Sequence, residues 1–260
     1  MRKFRKNTNT VDRPPLFWLL TEGSRAITEL GFSIPYRKFF GSSDEGDGHP
    51  VLVLPGFLST DMSTRPMRGY IDKLGYTSYG WELGRNTAKL DFLELLTERV
   101  RSLYAAHGER ISLIGWSLGG VFARQIAKAE PDLVRQIITL GSPFGGIQEP
   151  NNVAWLYNLI SNGERVQDVD PALIENIPLP APVPTTAVYT KEDGIVPWYL
   201  CMEEEDHIHQ NVQVRGSHFG LGVNLSVLDI IADRLLHRQD DWAYFRPNNA
   251  VKDLLFYPSL

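Results

Sequence analysis

The stretch Gly115-Trp116-Ser117-Leu118-Gly119 sets one serine between two glycines, a spacing suited to nucleophilic chemistry. A serine hydroxyl is a weak nucleophile and must be presented to a base, away from its own backbone. The residues before it, Ile111 to Ile114, form a short apolar run of strand type. After it, Val121, Ile126 and Ala127 recur at helical spacing. A tight strand-to-helix turn exposes the hydroxyl, and Gly115 and Gly119 stand where a Cβ would crowd that turn. The first helical N–H groups have no acceptor within the helix, so the Leu118 N–H can face a developing oxyanion.

Three further places complete a constellation. Val51-Leu-Val-Leu54 reads as a buried parallel strand and runs into Pro55-Gly56-Phe57-Leu58, where the Phe57 N–H is a second oxyanion donor. Asp193 follows the strand Thr185 to Tyr189 in Glu192-Asp193-Gly194. A buried acid there would hold a histidine in the required tautomer, with Glu192 and Asp206 as competing acids and a plain Asx turn as the alternative. His218, in Gly216-Ser-His-Phe-Gly220, follows a strand expected over Val212 to Arg215. His207 and His209 precede that strand, and His49, His107 and His237 stand before a strand, at a helix end and late in the final helix.

Positioning these residues takes an alternating chain. Helices are expected over about 64–74, 90–107, 121–128 and 223–236, and strands over 51–54, 77–81, 111–114, 136–140, 185–189 and 212–215. That order implies an α/β architecture, a mostly parallel sheet of about six strands with helices on both faces. The nucleophile, acid and base then all lie just past strand carboxyl ends, in the chain order Ser117, Asp193, His218. Between Gly146 and Thr185 the rhythm breaks. Residues 147–182 read as a small cap insertion whose Trp155, Leu156, Tyr157 and Leu159 either contact an acyl chain or glue the cap to the body. Trp116, Leu58, Phe144, Trp155 and Phe219 are the expected substrate contacts.

Bulk properties bound the partners. The chain has 260 residues with 43% hydrophobic and 22% charged residues, as in a soluble globular domain. A net charge of −5 provides no basic field for nucleic acid. The single cysteine, Cys201, excludes an internal disulfide framework and fits a reducing, cytoplasmic setting. No metal site or cofactor is expected; His207 and His209 beside Glu203 to Asp206 read as a solvated polar loop. The expected organisation is an arm and helix over 1–48, a body over 49–237 and an aromatic tail over 238–260. Pro14 to Leu30 form a helix whose Leu16, Phe17, Leu19, Leu20, Ile27 and Leu30 make an apolar side. It is too short to span a bilayer and lacks a secretory cleavage site. The reading is packing on the body or a partner subunit, with peripheral membrane contact or a homodimer as further uses of helix and tail.

Taken in order, Leu-Pro-Gly-Phe, Gly-Trp-Ser-Leu-Gly-Gly, Gly-Ser-Pro-Phe-Gly-Gly, Asp-Gly-Ile-Val-Pro and Gly-Ser-His-Phe-Gly-Leu resemble the α/β-hydrolase superfamily, most closely its bacterial lipase and carboxylesterase-like branch. The resemblance covers roughly residues 50–237. It implies Ser117 as nucleophile, His218 as base, Asp193 as its orienter, the Phe57 and Leu118 N–H groups as oxyanion hole, and an ester or lipid as substrate. The chain departs from many lipases at Pro55, where they carry histidine. An acyltransferase with the same triad and a silent hydrolase-fold binding protein are the competing readings.

Overall fold

The computed structural model describes residues 14–39, 46–89, 91–145, 171–238, 241–247 and 257–258. Six parallel strands form one sheet: β1 (Pro50–Leu54), β2 (Thr77–Gly80), β3 (Ile111–Trp116), β4 (Val134–Leu140), β5 (Thr185–Tyr189) and β6 (His209–Gln213). Their order is β2-β1-β3-β4-β5-β6. The chain starts at β1, steps out to β2, then returns past β1 to β3 and continues the other way. The reversal between β1 and β3 opens a crevice at their carboxyl ends, where open α/β sheets place ligands. Phe57 and Ser117 follow those two ends.

Every residue of β1 and β3 is buried, as expected where helices cover both faces. The two-residue strand period divides the apolar side chains cleanly. Leu52, Leu54, Leu113, Ile137 and Ala187 face α3 (Asp91–His107) and α4 (Leu118–Ala129). Val51, Val53, Ile114, Ile138, Val188 and Val212 face α2 (Asp61–Lys73) and the final helix α6 (Leu225–Leu236). The tail adds Phe245 and Tyr257 to this second core. Gln210 exchanges two hydrogen bonds with the Phe245 backbone, and the Tyr257 hydroxyl donates to Asp229 at 2.9 Å.

The expected elements are present with shifted ends. The last strand begins at His209, three residues earlier than its apolar pattern indicated. His209 pairs in register with Thr185 and is buried; its ring bonds Asp206 at 2.8 Å and the Ala181 carbonyl at 2.9 Å. The expected solvated loop therefore holds for exposed His207 and not for His209. Of the expected cap insertion, residues 147–170 lie outside the described residues. The residues after them form a short helix, α5 (Pro171–Asn176), and a run of turns and bends up to β5, both tied to α4. Arg124 donates to the Leu179 carbonyl at 2.7 Å, and Lys128 to the Asn176 side chain at 3.1 Å.

The first helix differs most. α1 spans Leu16–Phe39, beyond the expected end at Leu30, and lies beside α6. Its apolar residues Leu16, Phe17, Leu20 and Ile27 are exposed, whereas Glu22 and Ser33 are buried. The docked face is the polar one. It meets loops rather than a sheet face, and loops present N–H groups that need acceptors. Among the described residues no helix is long and apolar enough to cross a membrane.

At the amino ends of the strands a network around the buried His49 ring ties the entry to β1 to β3 and β4. His49 Nδ1 meets Asp47 at 2.5 Å and His49 Nε2 meets Ser112 Oγ at 2.9 Å, while Arg135 holds Asp47 at 3.0 Å. Burial, with the Arg135 charge beside it, pushes the His49 pKa below its ordinary 6.5. Folding thus favours neutral His49. Its contribution is present above pH 6.5 and is lost as the pH falls below that value, by up to about 1.4 kcal/mol per pH unit. Urea unfolding of wild type and His49→Gln should give stabilities that converge between pH 7.5 and 5; a constant difference would refute the assignment. Leu113→Ala, at the centre of β3, should cost about 2–5 kcal/mol in the same assay.

Candidate active site

The turn after β3 puts Ser117 in a rare backbone conformation, φ 53° and ψ −122°. Non-glycine residues hold positive φ only when their surroundings enforce it. Here a side chain at Gly119 would overlap the Leu54 carbonyl, one at Gly115 the backbone of Gly120, and one at Gly120 the Ser142 hydroxyl. The first contact packs the start of α4 against the end of β1, and the other two pack it against the end of β3 and the turn after β4. The Ser117 N–H reaches the Leu140 carbonyl at 2.8 Å, which locks the turn to β4. Gly56 lies against the Ser117 side chain, and a Cβ there would stand 3.2 Å from the serine Cβ.

The loops after β5 and β6 bring an acid and a base together. Asp193 Oδ2 lies 2.7 Å from His218 Nδ1. Asp193 Oδ1 accepts the Ile195 and Val196 N–H groups at 2.8 and 2.6 Å, which fixes the carboxylate within its own turn. Both side chains are buried. Burial opposes the charged form of His218, but the Asp193 carboxylate, through its charge and hydrogen bond, and the nearby Glu22 charge outweigh it. The pKa is held above the ordinary 6.5. The competing acids are engaged elsewhere: Glu192 accepts the Gly216 N–H at 3.2 Å and Asp206 binds His209.

The site residues read from the sequence fall into three groups. Ser117, His218 and Asp193 share the carboxyl edge. The Trp116 indole donates to the His218 carbonyl at 3.1 Å, and the His218 ring packs on Gly141, directly after the residue that binds the Ser117 N–H. Phe57 and Leu118 flank the serine turn, Phe57 half-buried after Gly56 and Leu118 at the first position of α4. Leu58 and Phe219 are exposed beside them, with the Phe219 ring 6.0 Å from that of His218. Phe144 is 1% exposed and its ring lies under the Arg124 guanidinium, so in this structure it packs the interior instead of opening to a substrate. Trp155 lies outside the described residues.

Two features escaped the sequence. Glu22 and Glu29 of α1 bind the acid and base loops; two carboxylates seven residues apart on one helix face were the available signal. The other is the Asp47, His49 and Ser112 array, which has the same residue types at the opposite edge. Ser112 is fully buried inside β3, without a turn to present it. Among the described residues no cluster of three His, Cys, Asp or Glu side chains suits a metal ion.

Comparison with known proteins bears on the fold and the family. The chain is similar in fold to lipase B of Aspergillus fumigatus, with a TM-score of 0.55 and 18% identity over 75% of this chain and 54% of that one. It is likewise similar to a monoacylglycerol lipase of Paleococcus ferrophilus, with a TM-score of 0.52 and 13% identity over 72% and 93% of the two chains. A pimeloyl-[acyl-carrier protein] methyl ester esterase of Aliivibrio salmonicida is 29% identical over 107 residues, 38% of each chain. This chain thus spans well under two thirds of the curated relative and of the fungal lipase. Residues 50–190, more than half of the sequence, match the palmitoyl protein thioesterase family. The chain belongs to that family, on an esterase- and lipase-type α/β-hydrolase fold.

Proposed function

We propose that the protein is a serine hydrolase of carboxylesterase or lipase type, with Ser117 as nucleophile, His218 as general base and acid, and Asp193 as the group that orients it. The observation that carries this reading is the 2.7 Å bond between Asp193 and His218 Nδ1 at the edge where the strained turn after β3 holds Ser117. That bond keeps the proton on Nδ1 and leaves Nε2 to accept the serine proton. Ser117 Oγ then attacks the acyl carbonyl, and the oxyanion forms against the Phe57 and Leu118 N–H groups. His218 returns the proton to the leaving group, the acyl group stays on Ser117, and water activated by His218 releases the acid. Leu58, Trp116, Trp155 and Phe219 are proposed to contact the acyl chain.

The family match favours a second substrate class, a thioester. The same machinery serves it, since a thiolate leaves more readily than an alkoxide and asks less of His218 as an acid. Acyl transfer to an alcohol differs only in the acceptor.

Hydrolysis of p-nitrophenyl esters from acetyl to palmitoyl, set beside the matching acyl thioesters, separates these substrates. Ser117→Ala should lower turnover at least about 1,000-fold with its unfolding transition unchanged; retained activity would sink the assignment. The raised His218 pKa also sets the pH dependence. The neutral ring is the working base, so kcat/KM should rise with pH to a plateau with its midpoint above 6.5. A midpoint below 6.5 would contradict the Asp193 pairing.

A further inference from the structure

Helix α1 precedes the residues matched to the family, yet it is built into the carboxyl edge. Glu22 is 2% exposed. Its Oε1 accepts the Gly194 N–H at 2.8 Å and the His218 N–H at 3.1 Å, and its Oε2 accepts the Phe219 N–H at 3.1 Å. Arg25 pairs with Glu22 at 2.9 Å and donates to the Gly216 carbonyl at 3.2 Å. Two turns further on, Glu29 accepts the Ser217 N–H and hydroxyl at 2.8 and 2.7 Å and the Asn224 amide at 2.7 Å. The approach is close enough to demand glycine at one point: a Cβ at Gly194 would meet the Trp18–Leu19 backbone, while Gly220 lies against the Glu29 carboxylate.

We propose that Glu22 is a positioning residue for the reaction, a single carboxylate that spans the acid loop and the base loop and holds Asp193 and His218 in register. The proposal rests on the triad reading above. The N–H groups that Glu22 binds belong to His218 itself, to Phe219 after it and to Gly194 after Asp193, and all three lie in loops outside the strand ladders. Anchoring α1 on the base loop does not require Glu22, because Arg25 and Glu29 already tie the helix there; among these three side chains only Glu22 also reaches the acid loop. Glu22 also lies near enough to His218 to favour the imidazolium formed when Ser117 gives up its proton. The apolar residues of α1 face outward, so the helix contributes to this edge through charge and hydrogen bonds.

The test is the rate at which a fluorophosphonate probe labels Ser117 in the full chain, measured across pH, with circular dichroism as the fold check. Labelling of wild type and not of Ser117→Ala establishes the triad reading; an unlabelled wild type overturns it, and this proposal with it. Glu22→Gln should label roughly tenfold more slowly at the plateau, with the midpoint of its pH limb moved to lower pH, because a charge that favours imidazolium is gone. Glu22→Asp keeps the charge and loses reach, so its rate should fall while the midpoint stays. Glu29→Gln loosens the same helix and should leave the midpoint in place. A wild-type rate and midpoint in Glu22→Gln, or an equal midpoint shift in Glu29→Gln, overturns the proposal. If Glu22→Gln does not fold, a wild-type rate in Glu22→Asp does so.

Discussion

The carboxyl edge of the sheet depends on backbones meeting at the Ser117 turn more closely than side chains would permit. Gly119 lies on the Leu54 carbonyl, Gly115 on Gly120, and Gly120 on Ser142. Tertiary packing of this kind is what sustains a serine at φ 53°. It also brings the start of α4 to the end of β1, so that Leu118 and the Pro55–Leu58 loop share one crevice. The strain is thus tied to position: relaxing the turn would lower the serine and part the two strand ends together.

The other half of the edge is held by polar bonds. Asp193 is fixed by its own turn, His218 by Asp193, and both loops by carboxylates from α1. Loops that carry site residues leave N–H groups unpaired by any ladder, and buried N–H groups must find acceptors. A carboxylate accepts several at once. This explains why α1 turns its polar side inward, against the usual expectation for a helix with an apolar stripe.

Ser112, His49 and Asp47 show that residue types and hydrogen bonds do not define such an edge. Ser112 lies within β3, where the strand pleat points its hydroxyl into the protein and no turn follows. Ser117 lies five residues on, where the strand has ended. The first array ties the entry to β1 to β3 and β4, and the second stands at the crevice where the strand order reverses.

Much of this was legible in the chain itself. Apolar runs of strand length, such as Val51–Leu54 and Thr185–Tyr189, and the glycines around Ser117 specify local structure through sterics and burial alone. With the alternation of strands and helices they implied a parallel sheet and set Ser117, Asp193 and His218 past strand ends. The start of β6 was hidden because His209 and Asn211 are polar, and an edge strand draws its pairing from Thr185 and Ala187, distant in sequence. Phe144 looked like a site residue by its place after β4, but the Arg124 guanidinium covers it. The orientation of α1 was undecidable from periodicity, which marks an apolar stripe without saying what the helix meets. The sequence by itself determined the order of strands and helices and which side chains stand at their ends, because those follow from local sterics and apolar spacing. Only the tertiary structure decided which acid meets His218, that Ser112 is enclosed, and that Glu22 and Glu29 bind the loops, because each depends on groups that the chain brings together across long separations.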